Sequence, residues 1–307
     1  MKGLTLSFRY WQEVGLPAFQ AQCSQILEQA AVGLVGEGSE CFGYDDVLSR
    51  DHDWGPGFCV WLEPEAMSRW GDRARLIYDQ LPKEFEGFRR LRPDPMSAGR
   101  VGVLGIAEFY GRFLGLNHPP KSLTEWRRVP ESGLAVSTNG QVFQDPVGTF
   151  SAFRRELLSY YPEDVRRKKL AARCALAAQS GQYNYARCLR RGEKVAAFLA
   201  LSQFVEHAQA IVFLLNRRFR PYYKWTQRAL IQLPILGAEA APLLEKMVSS
   251  DGVDQSRNIE ELCALIIGEL GNQGLSFVND DFLLVHARAV QEKISDPALR
   301  TLHLMAE

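Results

Sequence analysis

The sequence predicts an α+β protein, with a mixed α/β half up to about residue 150 and an all-helical half after it. In the first half, short apolar runs end at glycine or proline, which is typical of strands between turns. After Phe150, long stretches with helical periodicity and few breaks predict helices only. Because the two patterns follow one another along the chain, we predict two domains, 1–150 and 151–307.

Helix and strand patterns alternate through the first half. Apolar spacing and flanking prolines predict helices over 17–31 and 64–82 and in "IAEFYGRFLGL". Strands are predicted in "AVGLVGEGS", over 58–62 and in "GRVGVLGI". In "GLAVSTNGQVFQDP", two β-type runs surround Asn139-Gly140, a strong turn signal, and this predicts a hairpin. We therefore expect a small sheet with helices packed on it.

The second half is helical by pattern and basic by composition. Its later segments, "LGAEAAPLLEKMVSS", "SRNIEELCALIIGELGNQG" and "NDDFLLVHARAVQEKIS", begin or end at capping residues. From Arg154 to Arg228 there are sixteen basic and five acidic residues, a net charge of +11, whereas 36–53 carries −5. This polarity favours cation binding in one half and anion binding in the other.

The bulk composition is that of an ordinary globular protein. Of 307 residues, 46% are hydrophobic, and 36 basic residues balance 36 acidic ones, so neither nucleic acid nor membrane is indicated. Six scattered cysteines without a CxxC pair indicate reduced thiols. The N-terminus lacks a signal-peptide core, and no apolar run reaches the roughly 18 residues of a membrane span. We expect a cytoplasmic protein.

The stretch "VGEGSECFGYDDVLSRDHDWG" concentrates six carboxylates around one arginine. Asp51 and Asp53 are two positions apart, so on a strand they would point to the same face, where a divalent cation would relieve their repulsion. Mg²⁺ takes one or two protein carboxylates together with substrate phosphates. Upstream, Gly38-Ser39 follows an apolar strand and offers N–H groups and a hydroxyl to a phosphate. The order of these features predicts phosphoryl or nucleotidyl transfer.

The alternative is a solvated acidic loop whose side chains cap turns, which is the usual role of any single aspartate. By strand alternation, His52 would face away from the metal and pack against its neighbours. For Asp45 and Asp46 the sequence leaves two roles open: they bind the metal or the acceptor, or they fix the loop. The combination of Gly-Ser with a spaced Asp-x-Asp favours the binding site over the loop.

The pattern "GEGS…DHD" resembles the signature of the nucleotidyltransferase superfamily, which includes aminoglycoside adenylyltransferases and polymerase-β-like enzymes. "GLVGEGSECFGYDDVLSRDHDWGPGF", "GQVFQDPVG", "YYPEDVRRKK", "GQYNYARCLRRGE" and "LLNRRFRPYYKW" together resemble the DUF4037 family, over most of residues 1–235. The resemblance implies a nucleotidyltransferase-like mixed sheet followed by a helical bundle that closes the active-site cleft. It also implies that Gly38 and Ser39 hold the triphosphate and that Asp51 and Asp53 bind Mg²⁺.

The superfamily commonly adds a third carboxylate from a later strand. The third predicted strand, "RVGVLGI", has Gly102 and Leu104 where an acid is expected. Asp145, at the end of "QVFQDP", is our substitute, and Asp46 or Glu37 are further options. The alternative for Asp145 is an ordinary turn residue before Pro146.

Two basic motifs of the helical half are candidate nucleotide-binding segments. Around Pro221, where a helix must break, the resemblance favours Lys224 and then Arg217 as triphosphate ligands. Asn184, Arg187 and Arg191 are three or four residues apart and share one helix face, which lines either the cleft or a polar network between helices. A solvated basic surface is the alternative for each cation.

The leading hypothesis is an Mg²⁺- or Mn²⁺-dependent nucleotidyltransferase that moves NMP, in the first place AMP from ATP, to a hydroxyl of an unknown acceptor. Carboxylate excess near 37–53 favours a cationic small molecule as acceptor, with tRNA or protein as alternatives. The second hypothesis is a catalytically degenerate protein of the same fold that binds nucleotide or a partner.

Overall fold

The computed structural model describes residues 1–51, 54–90, 99–249 and 253–307. The chain divides into two compact units. The sheet unit comprises Met1–Pro120 and Val129–Ser159, and the helical unit comprises Lys121–Arg128 and Tyr160–Glu307. Described strands lie in the sheet unit, and the helical unit contains only helices and connections in its described part. The predicted α+β class is therefore confirmed.

The helices, in chain order, are α1 Gly3–Tyr10, α2 Leu16–Cys23, α3 Pro64–Gln80, α4 Ile106–Leu114, α5 Leu123–Arg128, α6 Glu131–Thr138, α7 Thr149–Leu158, α8 Glu163–Ala177, α9 Ala186–Arg190, α10 Lys194–Leu215, α11 Tyr223–Leu230, α12 Gly237–Ser249, α13 Val253–Asn272, α14 Leu283–Glu292 and α15 Pro297–Arg300. The strands are β1 Ala31–Leu34, β2 Cys59–Leu62, β3 Glu84–Phe85, β4 Phe88–Arg89, β5 Gly102–Gly105 and β6 Gln141–Gln144. The helices and strands predicted up to α4 are present, with shorter bounds for α2.

The main sheet has the strand order β5-β2-β1-β6. β1 is antiparallel to both β2 and β6, and β2 is parallel to β5. The parallel pair is connected through α3, which buries Ala74 and Ile77. All residues of β1 and β2 are buried, as in strands covered on both faces.

Aromatic side chains fill the core of the sheet unit. Trp61 is stacked on Phe150 with ring centroids 4.0 Å apart, and Tyr110 is stacked on Phe153 at 3.6 Å. These contacts join β2 and α4 to α7, so large apolar area is removed from water in one place. Phe58, on the other side, contacts Trp11 at 5.1 Å in an edge-to-face arrangement.

The hairpin prediction around Asn139-Gly140 is wrong in its first strand, because residues 131–138 form helix α6. Pro130 precedes the helix, and Gly133 lets it pack closely, since a Cβ there would lie 2.2 Å from the Phe113 carbonyl oxygen. Burial of Leu134 and its neighbours outweighs the β propensity of the segment. The second run is strand β6, and it pairs with β1.

A helix was not predicted for the first residues, yet α1 begins at Gly3 and continues through a π-helical segment, Trp11–Gly15, into α2. In the helical unit, α10 is long and apolar enough to span a membrane, contrary to the sequence-based expectation. However, 56% of its most apolar window is buried inside the unit, as in the core helix of a soluble protein.

Candidate functional site

The end of β1 and the beginnings of β2, β5 and β6 lie side by side along one margin of the main sheet, where these strands end or begin. The register pairs Gly33 with Cys59, Leu34 with Gln141, and Cys59 with Gly102. The residues after β1 and those before β2, β5 and β6 therefore meet there. We call this region the site edge and define it as residues 35–41, 99–101 and 139–140.

Gly38 and Ser39 lie at the site edge, directly after β1, as predicted. The backbone N–H groups of residues 37–40 have no acceptor among the described residues. Ser39 begins the short 3₁₀ turn Glu40–Phe42, and its hydroxyl makes no capping bond. Consecutive unused N–H groups form a concavity that suits an anion such as a phosphate group.

This loop is anchored by the connection between α6 and β6. Asn139 accepts a hydrogen bond from the Gly36 N–H at 3.0 Å and donates to the Gly36 carbonyl at 2.7 Å. The Gly140 N–H donates to the Cys41 carbonyl at 2.8 Å. Arg154 in turn donates to the carbonyls of Asn139 and Thr138, at 2.6 Å each. The loop is thus held by hydrogen bonds from Asn139 and Gly140, about a hundred positions further along the chain.

A buried ion pair lies beneath the loop. Glu40 is 3% exposed, and its Oε1 accepts a hydrogen bond from Arg100 Nη2 at 2.5 Å, while Oε2 has no hydrogen-bond partner in the described chain. A Cβ on Gly38 would lie 2.2 Å from Glu40 Oε1, so a larger residue there would displace the Glu40 carboxylate. Glu37 forms a second, exposed ion pair with Arg112, also at 2.5 Å.

Two further acids of the loop stabilise its fold. Buried Asp45 accepts from the Gly3 N–H at 2.7 Å and from Trp54 Nε1 at 3.1 Å. Asp46 accepts from the N–H groups of Leu48 and Ser49 at 3.0 and 3.2 Å. Of the two roles left open for these aspartates, their contacts support fixing the loop.

Asp51 is exposed and directly follows the 3₁₀ turn Leu48–Arg50, eight positions before β2 begins. It is therefore not on a strand, and strand alternation does not place its side chain on one face with that of Asp53. Asp53 and His52 lie outside the described residues. Within the described ranges, no group of three or more His, Cys, Asp or Glu side chains could hold a metal ion. The metal pair remains a prediction.

The structure does not bring Asp145 together with Gly38 and Ser39. Gln144 pairs with Val32 near the start of β1, so Asp145 follows β6 toward the opposite edge of the sheet. Its Oδ1 accepts from the Gly148 N–H at 2.9 Å and its Oδ2 from the Ser151 N–H at 2.7 Å, at the beginning of α7. This geometry matches the turn role. β5, whose residues are GVLG, carries no acid.

Cysteine chemistry is disfavoured at the site edge. Burial raises the pKa of the Cys59 thiol to about 12, and burial followed by the charge of Glu40 raises the pKa of Cys41 well above its ordinary value. Both thiols stay protonated near neutral pH and are poor nucleophiles.

Each basic candidate of the helical unit has a contact within that unit. Arg187 lies over the Tyr183 ring, 4.7 Å from its centroid, and Asn184 is half-buried in the π-helical segment Ala178–Tyr185. Arg217, with a φ of +51°, forms an ion pair with Glu163 at 2.7 Å. Lys224 is exposed, with Nζ 5.5 Å from the Trp225 ring centroid.

Arg217 is part of a structural network. Burial raises the pKa of Glu163, but hydrogen bonds and charges from Arg166 and Arg217 outweigh burial and leave the pKa below its ordinary value. Glu163 stays ionised and holds the turn after α10 against the start of α8. Of the two predicted triphosphate ligands, Lys224 is the one that forms no ion pair with a described residue.

The sequence patterns missed several cations. Arg100 and Arg112 contact the loop after β1 from positions 60 and 75 residues further along the chain, and Arg154 binds the α6–β6 connection. No local spacing signals such long-range partners. The buried cations of α8 were seen only as part of a basic run.

The domain of unknown function DUF4037 matches residues 126–226, which confirms the resemblance for this segment. No curated protein matches the chain. A crystal structure of a nucleotidyltransferase-like protein from Exiguobacterium sibiricum 255-15 is similar with 11% identity and a TM-score of 0.36, over 84% of this chain and 75% of that one.

Proposed function

We propose that this protein is a nucleotidyltransferase that transfers NMP, in the first place AMP from ATP, to a hydroxyl group of an acceptor. The observation that carries the proposal is the run of N–H groups at residues 37–40, which have no acceptor in the described chain. Oriented backbone N–H groups after a strand are suited to a triphosphate. The loop is held rigidly at Gly36 and Cys41, so the N–H groups are oriented before a ligand binds.

Gly38 and Ser39 would bind the phosphates, Gly38 by allowing close approach and Ser39 with its hydroxyl. Asp51 and Asp53 would hold Mg²⁺ or Mn²⁺, because hard carboxylate oxygens suit these ions and Asp51 is exposed. The metal would neutralise charge on the phosphates during transfer. Lys224 and Arg187, with Asn184 and Arg217, would add contacts to the nucleotide from the helical unit.

The acceptor is proposed to be a small molecule that carries a hydroxyl group. Four of the acids near the loop are engaged in local contacts, namely Glu37, Glu40, Asp45 and Asp46. The acidic excess therefore argues less strongly for a cationic acceptor than the sequence alone did. A tRNA or a protein is the alternative acceptor.

The test combines nucleotide binding with transfer. Calorimetry with ATP should show binding that requires Mg²⁺ or Mn²⁺, and that weakens at least about tenfold in Asp51→Asn, since metal-site carboxylates contribute on this scale. Labelled ATP, GTP, CTP and UTP are then incubated with small-molecule, tRNA and protein acceptors, and products are identified by mass spectrometry. Metal-independent ATP binding that is equal in native protein and Asp51→Asn would overturn the site.

A second candidate is a protein of this fold that binds nucleotide without transferring it. It is favoured by β5, which has no acid, and by Asp145, whose oxygens cap α7 at the other edge of the sheet. Metal-dependent ATP binding with no labelled product from any acceptor class would select this candidate. A labelled product that disappears in Asp51→Asn would exclude it.

A further inference from the structure

The helical unit contains a group of cations that contact residues 303–307, a segment that we call the tail. Lys168, on α8, is fully buried, and among the described residues its Nζ donates only to neutral oxygens, those of the Gln291 side chain and of the His303 and Leu304 carbonyls, at 2.8 to 3.0 Å. Buried ammonium groups are costly without a countercharge. The chain has thus placed a cation where a negatively charged group would be stabilised.

Two arginines beside Lys168 bind Glu307. Arg173, also on α8, donates to Glu307 Oε2 at 2.9 Å, and Arg127, on α5, donates to the Glu307 main-chain oxygen. Burial and then the charge of Arg127 lower the pKa of Lys168 to about 8, while Glu307 acts in the opposite direction, so the three groups lie within electrostatic reach of one another. We call Arg127, Lys168 and Arg173 the tail cluster.

Four cations and two acids take part in the described contacts around the tail cluster. Arg220 and Arg173 share one acid, Glu206, at 3.5 Å each, and the neighbouring His207 ring contacts Arg173 at 3.0 Å. Burial, followed by Arg173, lowers the pKa of His207 to about 4, so that ring is neutral at physiological pH. Glu206 and Glu307 are the acids that the contacts show facing this group of cations, and Glu307 is supplied by the tail.

We propose that the tail cluster is a binding site for a phosphate-type oxyanion, and that Glu307 occupies it in competition with the ligand. The Glu307 carboxylate stands in for the oxyanion, because the guanidinium fork binds carboxylate and phosphate oxygens in the same way. The three cations lie inside the DUF4037 segment 126–226, whereas Glu307 lies outside it. The oxyanion is either free inorganic phosphate or a phosphate group of a nucleotide.

Competition by the tail has a measurable consequence. If the tail occupies the site about nine-tenths of the time, it lowers the apparent affinity for a ligand about tenfold. Glu307→Gln removes the competing charge with little change in size. In calorimetry on the full chain, this variant should bind inorganic phosphate about tenfold more tightly than native protein. Glu292→Gln, which removes an exposed acid from α14 in the same unit, should not change the affinity.

Arg173→Gln in the Glu307→Gln background should abolish the gain. Repeating the titrations with ATP in the presence of EDTA distinguishes the two sources of the oxyanion. If Glu307→Gln raises the affinity for both ligands, the site recognises a phosphate group alone. If it raises the affinity for ATP only, the site recognises the nucleotide. Equal affinities in native protein and Glu307→Gln for both ligands would overturn the proposal, as would a gain that persists without Arg173.

Hydrogen exchange on the native protein gives a second readout. The Met305 and Ala306 N–H groups are hydrogen-bonded to His303 within the tail, so displacement of the tail by phosphate should speed exchange in residues 303–307. Unchanged exchange at saturating phosphate would contradict the competition. Neither measurement uses transfer activity, so the outcome is independent of the proposed function.

Discussion

The loop after β1 and the region around α8 both contain several charged side chains, and buried charges have different partners in the two regions. In the loop, buried Glu40 meets Arg100 and buried Asp45 meets two N–H donors and Lys2. Around α8, buried Lys168 donates to neutral oxygens only, within the part of the chain that the structure describes. Local charge excess is thus a poor guide to a binding site, because what matters is which charges lack a counterpart.

This comparison changes the interpretation of the acidic stretch 35–55. Most of its described carboxylates are structural, and the feature with unused binding capacity is the backbone of residues 37–40. In the helical unit, the corresponding feature is a side chain, because the described partners of buried Lys168 are neutral oxygens. The following changes test each side of the contrast, beginning with the largest expected effect.

Glu40→Ala should lower the free energy of unfolding by about 3–5 kcal/mol, because it breaks the buried ion pair between Glu40 and the Arg100 guanidinium, which is 14% exposed. Urea denaturation measures this. The matched control is Glu37→Ala in the same loop, whose ion pair with Arg112 is exposed and should contribute less than about 1 kcal/mol. The double change Glu40→Ala with Arg100→Met should recover part of the loss. Equal losses in Glu40→Ala and Glu37→Ala would contradict the buried-pair assignment.

Gly140→Ala should cost about 1–3 kcal/mol, because a Cβ would lie 2.0 Å from the Leu34 carbonyl oxygen and the φ of +61° is unfavourable for alanine. Gly43→Ala is the control, since Gly43 has a φ of +74° but no atom within 4 Å of its Cβ position. It should show backbone strain alone, about 1 kcal/mol. Thermal unfolding of both variants measures the difference, and identical midpoints would show that the close approach of Gly140 to β1 is unimportant.

Lys168 should make the stability depend on pH in the alkaline range. Its folded pKa, about 8, lies below its ordinary value of 10.5, so between these values the unfolded chain binds more protons. The free energy of unfolding should therefore rise from about pH 8 to 10.5, by at most about 1.4 kcal/mol per pH unit. Below pH 8 this dependence vanishes.

Buried thiols and tyrosines titrate in the same range, so the test compares native protein with Lys168→Met by urea denaturation at pH 7 and 9.5. The stability of native protein relative to the variant should increase with pH. A constant difference would show that Lys168 has an ordinary pKa, and the contrast between the two charged regions would lose its main support.

Local patterns were sufficient for most of the sheet unit. Strands β1, β2 and β5 and helices α3 and α4 follow from apolar runs with proline or glycine at their ends, because these signals lie within each segment. Helix α6 was mistaken for a strand since its helical form depends on close packing against Phe113, a contact that no local pattern encodes. Gly38 and Ser39 were placed correctly after β1 for the same local reason.

Long-range contacts limit how much of the candidate site can be predicted from the sequence. Arg100 reaches Glu40 from 60 positions away, and the roles of Asp46 and Asp145 depend on which N–H groups their carboxylates meet. Spacing alone does not determine these partners. For Asp51, strand alternation was applied to a residue that directly follows a 3₁₀ turn, so the geometric reason does not hold and its role as a metal ligand stays a prediction.

The smallest expected effects on stability distinguish Asp145, whose contacts are structural, from Asp51, which we propose as a metal ligand. Asp145→Ala should lower the free energy of unfolding by about 1 kcal/mol, because the N–H groups of Gly148 and Ser151 lose their acceptor. Asp51→Asn, at an exposed position, should change it by less than about 0.5 kcal/mol. For metal-dependent ATP binding the order should reverse, with Asp145→Ala unchanged and Asp51→Asn weakened. If Asp145→Ala abolished ATP binding while α7 stayed folded by circular dichroism, the capping role would be insufficient, and the phosphate site would have to extend to the opposite edge of the sheet.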